Sequence, residues 1–465
     1  MKQDILRRLP SVEELMSIEE VARLTDEHDR SLVVDVVRSV VDSVRSEIIH
    51  SDEPAKLESA AAPENLAARA VSAMQAKFAP SLRHAINAAG IILHTGLGRA
   101  MMPQAAIDAV NDVVKGYCTL ATDIETGQRA SRDIHFSDLL CEVTGAEAAT
   151  VANNNAAATM LVLNTLAQGK EVIISRGQLV EIGGSFRMPD VMESSGAIMR
   201  EVGTTNKTHL RDYANAINEN TGAIIRVHMS NYRIVGFFEE PSVEELAKLA
   251  AKHSIPLIDD LGSGALVDLS QYGLESEPMI RDSMKAGVDV ACFSGDKLIG
   301  GPQAGVIVGK ANYIKAIKKN PLARALRVGK MEVAALEATL RLFLDPGKLE
   351  QRHPTYRMLS LGVGELAARA KAVGNNLASA AAEISVIEGS SQVGSGSVPA
   401  EMLPTALLSV KPAAMSAEAL AKRLRRNAPP IFARIHQEAV LFDFRTIQPN
   451  EDALVEAALR DLLAQ

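Results

Sequence analysis

The 465-residue sequence contains no tryptophan, and aromatic residues of all kinds make up only 3% of it. That removes the stacked-ring platform on which proteins hold single-stranded nucleic acid. Cysteine is scarce as well. Cys118, Cys141 and Cys292 lie far apart and form no CxxC pair, which argues against a disulfide framework or a cysteine-ligated zinc site, and no metal is expected. Reduced, mostly buried thiols in a cytoplasmic protein are expected instead. No apolar run approaches the roughly 18 residues that cross a bilayer. The polar start Met1-Lys2-Gln3-Asp4 offers no secretory signal core. Excess positive charge is missing too. The net charge is -8, which argues against gripping nucleic acid by bulk charge alone and leaves room only for a local basic surface.

What is present reads as an ordinary globular protein, 47% hydrophobic and 23% charged. The length allows a large core and two or three domains. Residues 1–75 read as a helical domain, with apolar positions at helical spacing through Val33-Val34, Val36-Val37, Val40-Val41 and Val44. Asp52-Glu53-Pro54 and Ala60-Ala61-Ala62-Pro63 read as joints. From Ile86 the pattern changes to short apolar runs separated by helix-like segments. These runs are Thr150–Ala152, Glu171–Ile174, Ala223–Val227, Pro256–Ile258, Val288–Phe293 and Ala304–Val308. Buried strands joined by crossover helices are predicted, hence an α/β domain over 76–330 with a mostly parallel sheet. A helix is expected from about Lys330 to Leu344, and residues 331–465 read as a smaller α+β domain with a turn at Gly394-Ser395-Gly396-Ser397.

Chemistry gathers where the apolar runs end. Ser294-Gly295-Asp296-Lys297-Leu298 follows one strand and precedes another. A lysine at such a strand end is partly desolvated, which favours the neutral amine that Schiff-base chemistry needs. Upstream, Ile258-Asp259-Asp260-Leu261-Gly262-Ser263-Gly264 ends a strand in carboxylates. Asp260 precedes Lys297 by 37 positions, room for one crossover helix between neighbouring strand ends. Asp259 competes with Asp260, which directly adjoins the Leu-Gly-Ser-Gly turn. Val151-Ala152-Asn153-Asn154-Asn155-Ala156 ends a strand and starts a helix, whose free amides suit a phosphate. Ser294 is placed to reach the same phosphate. His228-Met229-Ser230-Asn231-Tyr232 offers polar groups at a further strand end, and Arg176–Gly184 lies where it would cover a ring. Each motif alone has an ordinary reading as a surface lysine, a capping aspartate, an N-cap or a turn. Their order is more specific. Phosphate turn, ring-hydroxyl group, aspartate and lysine is the order of a fold-type I enzyme of pyridoxal 5'-phosphate. Asp260 would keep the ring nitrogen protonated and Lys297 would hold the cofactor.

Longer stretches resemble one family, the bacterial L-seryl-tRNA(Sec) selenium transferases or selenocysteine synthases. They are Leu9–Leu15, Leu93–Ala100, Thr144–Glu147 into the asparagines, Val202–His209, Asp260–Leu274, Phe293–Gly309 and Arg324–Arg327. The resemblance covers nearly the whole chain. It implies the cofactor lysine at Lys297, and a seryl-tRNA(Sec) substrate held partly by the N-terminal domain. It also implies an anionic selenium donor, selenophosphate, bound by Arg99, Arg324 and Arg327, and assembly as a ring of dimers, a decamer, with sites at dimer interfaces. Cofactor contacts are expected from Asn154, Asn155, Ala156, Ser230, Asn231, Asp260, Ser294 and Lys297. The chain departs from the family pattern at Gly96, Ala121, Thr122, Ala130 and Asp133, in loops expected near the substrate. Residues 1–50 hold 7 Lys/Arg and 11 Asp/Glu, a balance of -4, so tRNA contact there would rest on shape and a few placed basic groups. The basic run Lys422-Arg423-Leu424-Arg425-Arg426 reads as a solvated helix face, with phosphate contact as the alternative. Two other functions fit the same residues less fully: a cofactor-dependent lyase of a small amino acid or amino sugar phosphate, and a non-catalytic RNA-binding scaffold.

Overall fold

The computed structural model describes every residue except 1, 52–57, 184–185, 275–276, 378–380, 399–400 and 465. The joint expected at 52–54 lies outside the described residues. Contacts divide the chain into residues 1–84 and 85–465.

The first unit is helical, as its periodicity predicts. Ser11 and Glu14 form a capping box on helix Val12–Met16. The longest helix, Arg30–His50, starts at an Asp29 cap and buries Val33, Val37, Val41, Val44 and Ile48. Steps of three and four put those side chains on one face. Helix Pro63–Phe78 opens on its proline, where a missing N–H costs nothing, and buries Leu66, Ala67, Ala70 and Met74 against that stripe. It runs through residue 75, so the expected domain end falls inside a helix.

The strands of the second unit are β1 (Ile86–Ala88), β2 (Ala148–Ala152), β3 (Glu171–Ser175), β4 (Glu181–Ile182), β5 (Phe186–Arg187), β6 (Ile198–Val202), β7 (Thr221–Val227), β8 (Leu257–Gly262), β9 (Val290–Ser294), β10 (Gly305–Gly309), β11 (Ala382–Ser391), β12 (Leu403–Pro412), β13 (Ile431–His436) and β14 (Ala439–Asp443). Seven form the large sheet, in the order β2-β10-β9-β8-β7-β3-β6. Only β10 runs antiparallel to its neighbours. The pairs from β9 to β6 are parallel, which gives the mostly parallel sheet expected of the α/β fold. Its faces are covered by two separate apolar clusters, so the strands read as continuous hydrophobic runs. Helix Asn155–Ala167 is apolar nearly all round, with Ala158, Leu161, Val162 and Leu163 buried against the sheet.

The second sheet has the order β1-β13-β14-β12-β11. Most of it comes from the C-terminal α+β segment. One of its two edge strands is β1, which pairs parallel with β13 through Ile86 and Ile431. The chain therefore enters this sheet before it builds the large one. The basic run 422–426 lies mostly on the exposed face of helix Ala417–Arg425, which buries Leu420, Ala421 and Leu424. Among the described residues no helix is long and apolar enough to cross a membrane.

Candidate active site

Parallel strands deliver their C-terminal ends to one edge of the sheet, where α/β proteins bind ligands. Here β7, β8 and β9 end at Val227, Gly262 and Ser294 on that edge. Two antiparallel steps through β10 bring the end of β2, and with it Asn153–Asn155, to the same side. A cavity of about 530 Å³ opens there. It is lined by Asn154, Asn155, Ala156, Ser230, Asn231, Asp260, Ser294 and Lys297, every cofactor contact expected from the sequence.

Lys297 is 6% exposed. Burial pushes its amine below the ordinary lysine value, and the Arg99 charge adds to the effect, against Asp260, Asp296 and Glu277. Its backbone is fixed on both sides. Leu298 N–H donates to Ser263 O at 3.1 Å, and Gly295 N–H to Ala304 O at 2.8 Å. Tyr356 Oη donates to Leu298 O, and His353 Nε2 lies 2.9 Å from Ile299 O.

Asp260 is 4% exposed and makes no ion pair among the described residues. Burial raises its pKa, opposed by hydrogen bonds from Asn155 and Thr159. Asn155 Nδ2 donates to Oδ1 and Thr159 Oγ1 to Oδ2, both at 2.8 Å. Asp259 faces the other side of the sheet, bonded to Arg226 at 3.0 Å and to Ser283 at 2.7 Å. Strand alternation thus decides between the two aspartates. Gly262, at φ +63°, follows on the cavity side. A Cβ there would lie in ordinary contact with Ser230 Oγ and Lys297 Nζ, at 3.7 and 3.9 Å, so it is the left-handed turn that calls for glycine.

The phosphate end is a helix start. Asn154 Oδ1 accepts from Ala157 N–H at 2.9 Å, and Asn154 O from Ala158 N–H at 3.0 Å. The N–H groups of Asn155 and Ala156 come before the first intrahelical bond and point out of the helix end. Gly305 lets β10 pass this turn, since a Cβ there would stand 2.0 Å from Asn154 O. An amine, a buried carboxylate short of a cation and a helix-end anion cradle around one cavity fit pyridoxal 5'-phosphate. The orphaned buried Oδ1 of Asn155 is a further unfilled polar contact there.

Val180, Ile182, Gly183 and Phe186 form an apolar wall of the cavity, the first three from the Arg176–Gly184 stretch, whose Gly184 lies outside the described residues. The sequence did not single out Thr159, Gln303 or Thr95, and it predicted the Gly394–Ser397 turn without placing it at the site. Thr159 holds Asp260 and the others line the cavity. Thr159 carried a signal of its own, a polar residue one turn into an apolar helix on the side of Asn155.

The three arginines separate. Arg99 lines the Lys297 cavity, at a left-handed φ of 65°, and pairs with Asp296 Oδ2 at 2.7 Å. Arg324 and Arg327 line a different cavity of about 460 Å³, with Arg129, Arg132 and Lys318. Burial and then the charges of Arg327, Arg324 and Arg129 push the Arg132 guanidinium below its ordinary value. Among the described residues only Lys318 of these has a carboxylate partner, Asp133 at 2.5 Å. Ala121, Ala130 and Asp133, positions that depart from the family pattern, line this cavity and not the first.

Residues 85–448 match the family described as L-seryl-tRNA selenium transferase, and residues 6–45 match selenocysteine synthase N terminal. The chain is 47% identical over 461 residues to the L-seryl-tRNA(Sec) selenium transferase of Alkaliphilus metalliredigens, spanning 99% of each. It is 47% identical over 470 residues to that of Nitratidesulfovibrio vulgaris, again 99% of each. Among solved structures, D-glucosaminate-6-phosphate ammonia-lyase aligns over 84% of this chain and 98% of that one. The TM-score is 0.58 and the identity 20%, a likeness of fold.

Proposed function

The chain belongs to the L-seryl-tRNA selenium transferase family, and on that premise we propose how its cavity residues divide the work. The protein is a pyridoxal-phosphate-dependent transferase that converts seryl-tRNA(Sec) to selenocysteyl-tRNA(Sec). The observation that carries the assignment is the single cavity shared by Lys297, Asp260 and the Asn154–Ala156 helix start.

Pyridoxal 5'-phosphate, when bound, supplies an electron sink next to Cα of the seryl group. Lys297 Nζ anchors it covalently and is the base for the Cα proton. Burial suits the amine to both tasks by favouring its neutral form. Asp260 holds a proton on the ring nitrogen, aimed by Asn155 and Thr159. The amides of Asn155 and Ala156, with Asn154 and Ser294, take the phosphate, while Ser230 and Asn231 face the ring hydroxyl. The apolar wall of Val180, Ile182 and Phe186 keeps water from the reacting carbon. The helical N-terminal residues hold part of the tRNA. The enzyme works in the cytoplasm as a ring of dimers, a decamer.

Selenium comes from selenophosphate, whose anion is bound by Arg99 in the Lys297 cavity and by Arg324 and Arg327, with sites at dimer interfaces. Arginine suits that task through bidentate pairing with phosphate-like oxygens. Arg324→Ala with Arg327→Ala should raise the KM for selenophosphate by about 100-fold, on the order of two lost charge-assisted bonds. Initial rates against donor concentration measure this, and an unshifted KM removes both arginines from the donor site.

The deciding experiment is a single turnover with purified protein, cofactor, labelled seryl-tRNA(Sec) and selenophosphate. Selenocysteine should be released from the tRNA afterwards. Serine alone, returned from a yellow, cofactor-loaded protein, would overturn the tRNA reading and leave the fold and cofactor standing.

A further inference from the structure

Turning serine into an acceptor for selenium requires its hydroxyl to leave, and hydroxide is a poor leaving group. The departing oxygen takes its proton either from Lys297, once that amine carries the Cα proton, or from a second group in the cavity, and a second group spares the amine both tasks. Four ionisable side chains line the cavity among the described residues: Arg99, His228, Asp260 and Lys297. Arg99 is paired with Asp296, and a guanidinium does not give up its proton in a protein. Asp260 is bonded by Asn155 and Thr159 and is already assigned to the ring nitrogen. That leaves His228, whose imidazole can hold a proton on either ring nitrogen and give it up to a reacting oxygen.

The surroundings of His228 are those of a positioned acid. Its Nε2 is buried and has no hydrogen-bond partner among the described residues. Glu277 Oε1 stands 3.7 Å from that nitrogen, with the Glu277 side chain fully buried. Glu277 is itself held. Ser263 Oγ donates to Oε1, and Val398 N–H donates to Oε2 at 3.0 Å. Ser263 belongs to the turn after Asp260, and Val398 follows the Ser395-Gly396 turn that lines the cavity. A fixed carboxylate behind an imidazole orients the ring and stabilises its cation. His228 follows β7, and its backbone N–H donates to Asp260 O at 2.9 Å, which ties it to the strand that carries the cofactor's aspartate.

We propose that His228 is the acid that protonates the leaving seryl hydroxyl, with Glu277 as its positioning residue. The inference rests on the seryl-tRNA reading given above. The Cβ–O bond breaks with its electron pair on oxygen, the oxygen takes the imidazolium proton, and water departs as the Cα–Cβ double bond forms. Lys297 has gained the Cα proton and His228 has lost one, so the protein's proton count is unchanged. Solvent then reprotonates the imidazole.

The test compares two leaving groups. Seryl-tRNA(Sec) needs an acid, whereas tRNA(Sec) charged with β-chloroalanine loses chloride, which needs none. His228→Gln should slow elimination from seryl-tRNA by about 100-fold or more, the usual weight of a general acid, and elimination from chloroalanyl-tRNA by less than about threefold. Glu277→Gln should show the same preference in weaker form. The bound cofactor's visible absorbance, unaltered in both variants, would show that Lys297 and the fold are intact. Equal losses on both substrates, or no loss on serine, would overturn the proposal. If His228→Gln does not fold, Glu277→Gln alone decides by the same ratio. Failure of the wild-type enzyme to turn over seryl-tRNA would instead sink the substrate assignment, which keeps the two failures apart.

Discussion

Lys297→Ala should lose the covalently bound cofactor on dialysis and at least about four orders of magnitude in selenocysteine formation, because the proposal gives one side chain the tasks of both anchor and base. The prediction rests on where the amine is placed. A lysine 6% exposed, with its flanking backbone bonded to Ser263 and Ala304, has lost the freedom that makes surface lysines interchangeable. Burial lowers its pKa and Arg99 lowers it further. Only the neutral amine forms the covalent link. Capture of the cofactor should therefore strengthen as pH rises through that lowered pKa and weaken below it. Added pyridoxal phosphate should still bind the variant without a covalent bond, because the helix start at Asn154–Ala156 and the Asp260 carboxylate are untouched. Absorbance after dialysis and a single-turnover assay check both halves. Visible absorbance of a covalent adduct that survives dialysis in Lys297→Ala would move the anchor to another residue.

The sequence exposes this much because of how parallel strands end. Each buried run stops at a polar residue followed by glycine or a helix, and Asn154, Asp260 and Lys297 stand at such stops. A cavity at the strand ends then gathers residues that are local in pattern and distant in number. Periodicity also decides between Asp259 and Asp260, but only once the facing sides of β8 are known. What sequence cannot supply is contact between elements that follow no common period. Thr159 reads as one more helix residue until the helix is docked with that side toward Asp260. Glu277 reads as a surface loop carboxylate, yet Ser263 and Val398 bury it. Strand β1 shows no short-range sign that its partner is β13, more than three hundred residues away. Arg99, Arg324 and Arg327 look alike in a string of letters. In the folded chain the first meets Lys297, and the other two face a separate basic cavity where several departures from the family pattern gather.

Asp260→Asn should lower kcat by about three orders of magnitude, in line with the roughly 3–5 kcal/mol lost when one partner of a buried charge pair is removed. The KM for seryl-tRNA should move little, because the proposed tRNA contacts lie outside this cavity. In the protein alone, burial raises the Asp260 pKa even with three donors on its oxygens, from Asn155, Thr159 and the Gly262 N–H. A buried carboxylate in that state gains most from a cation placed against it, and a protonated ring nitrogen is such a cation. The asparagine variant keeps the shape and loses the charge, so the ring nitrogen loses its reason to stay protonated. Asp260→Ala separates charge from fold. It opens room for a methyl group, and a cofactor analogue methylated at the ring nitrogen is positive at every pH. Such an analogue should restore a large part of the activity of Asp260→Ala while doing little for the wild type. Thermal unfolding of the cofactor-free variants reports any damage to the helix that Asn155 and Thr159 anchor. Full activity in Asp260→Asn, or no response of Asp260→Ala to the methylated analogue, would take the ring-nitrogen role away from Asp260 and return it to Asn155 and Thr159 as a purely structural tie.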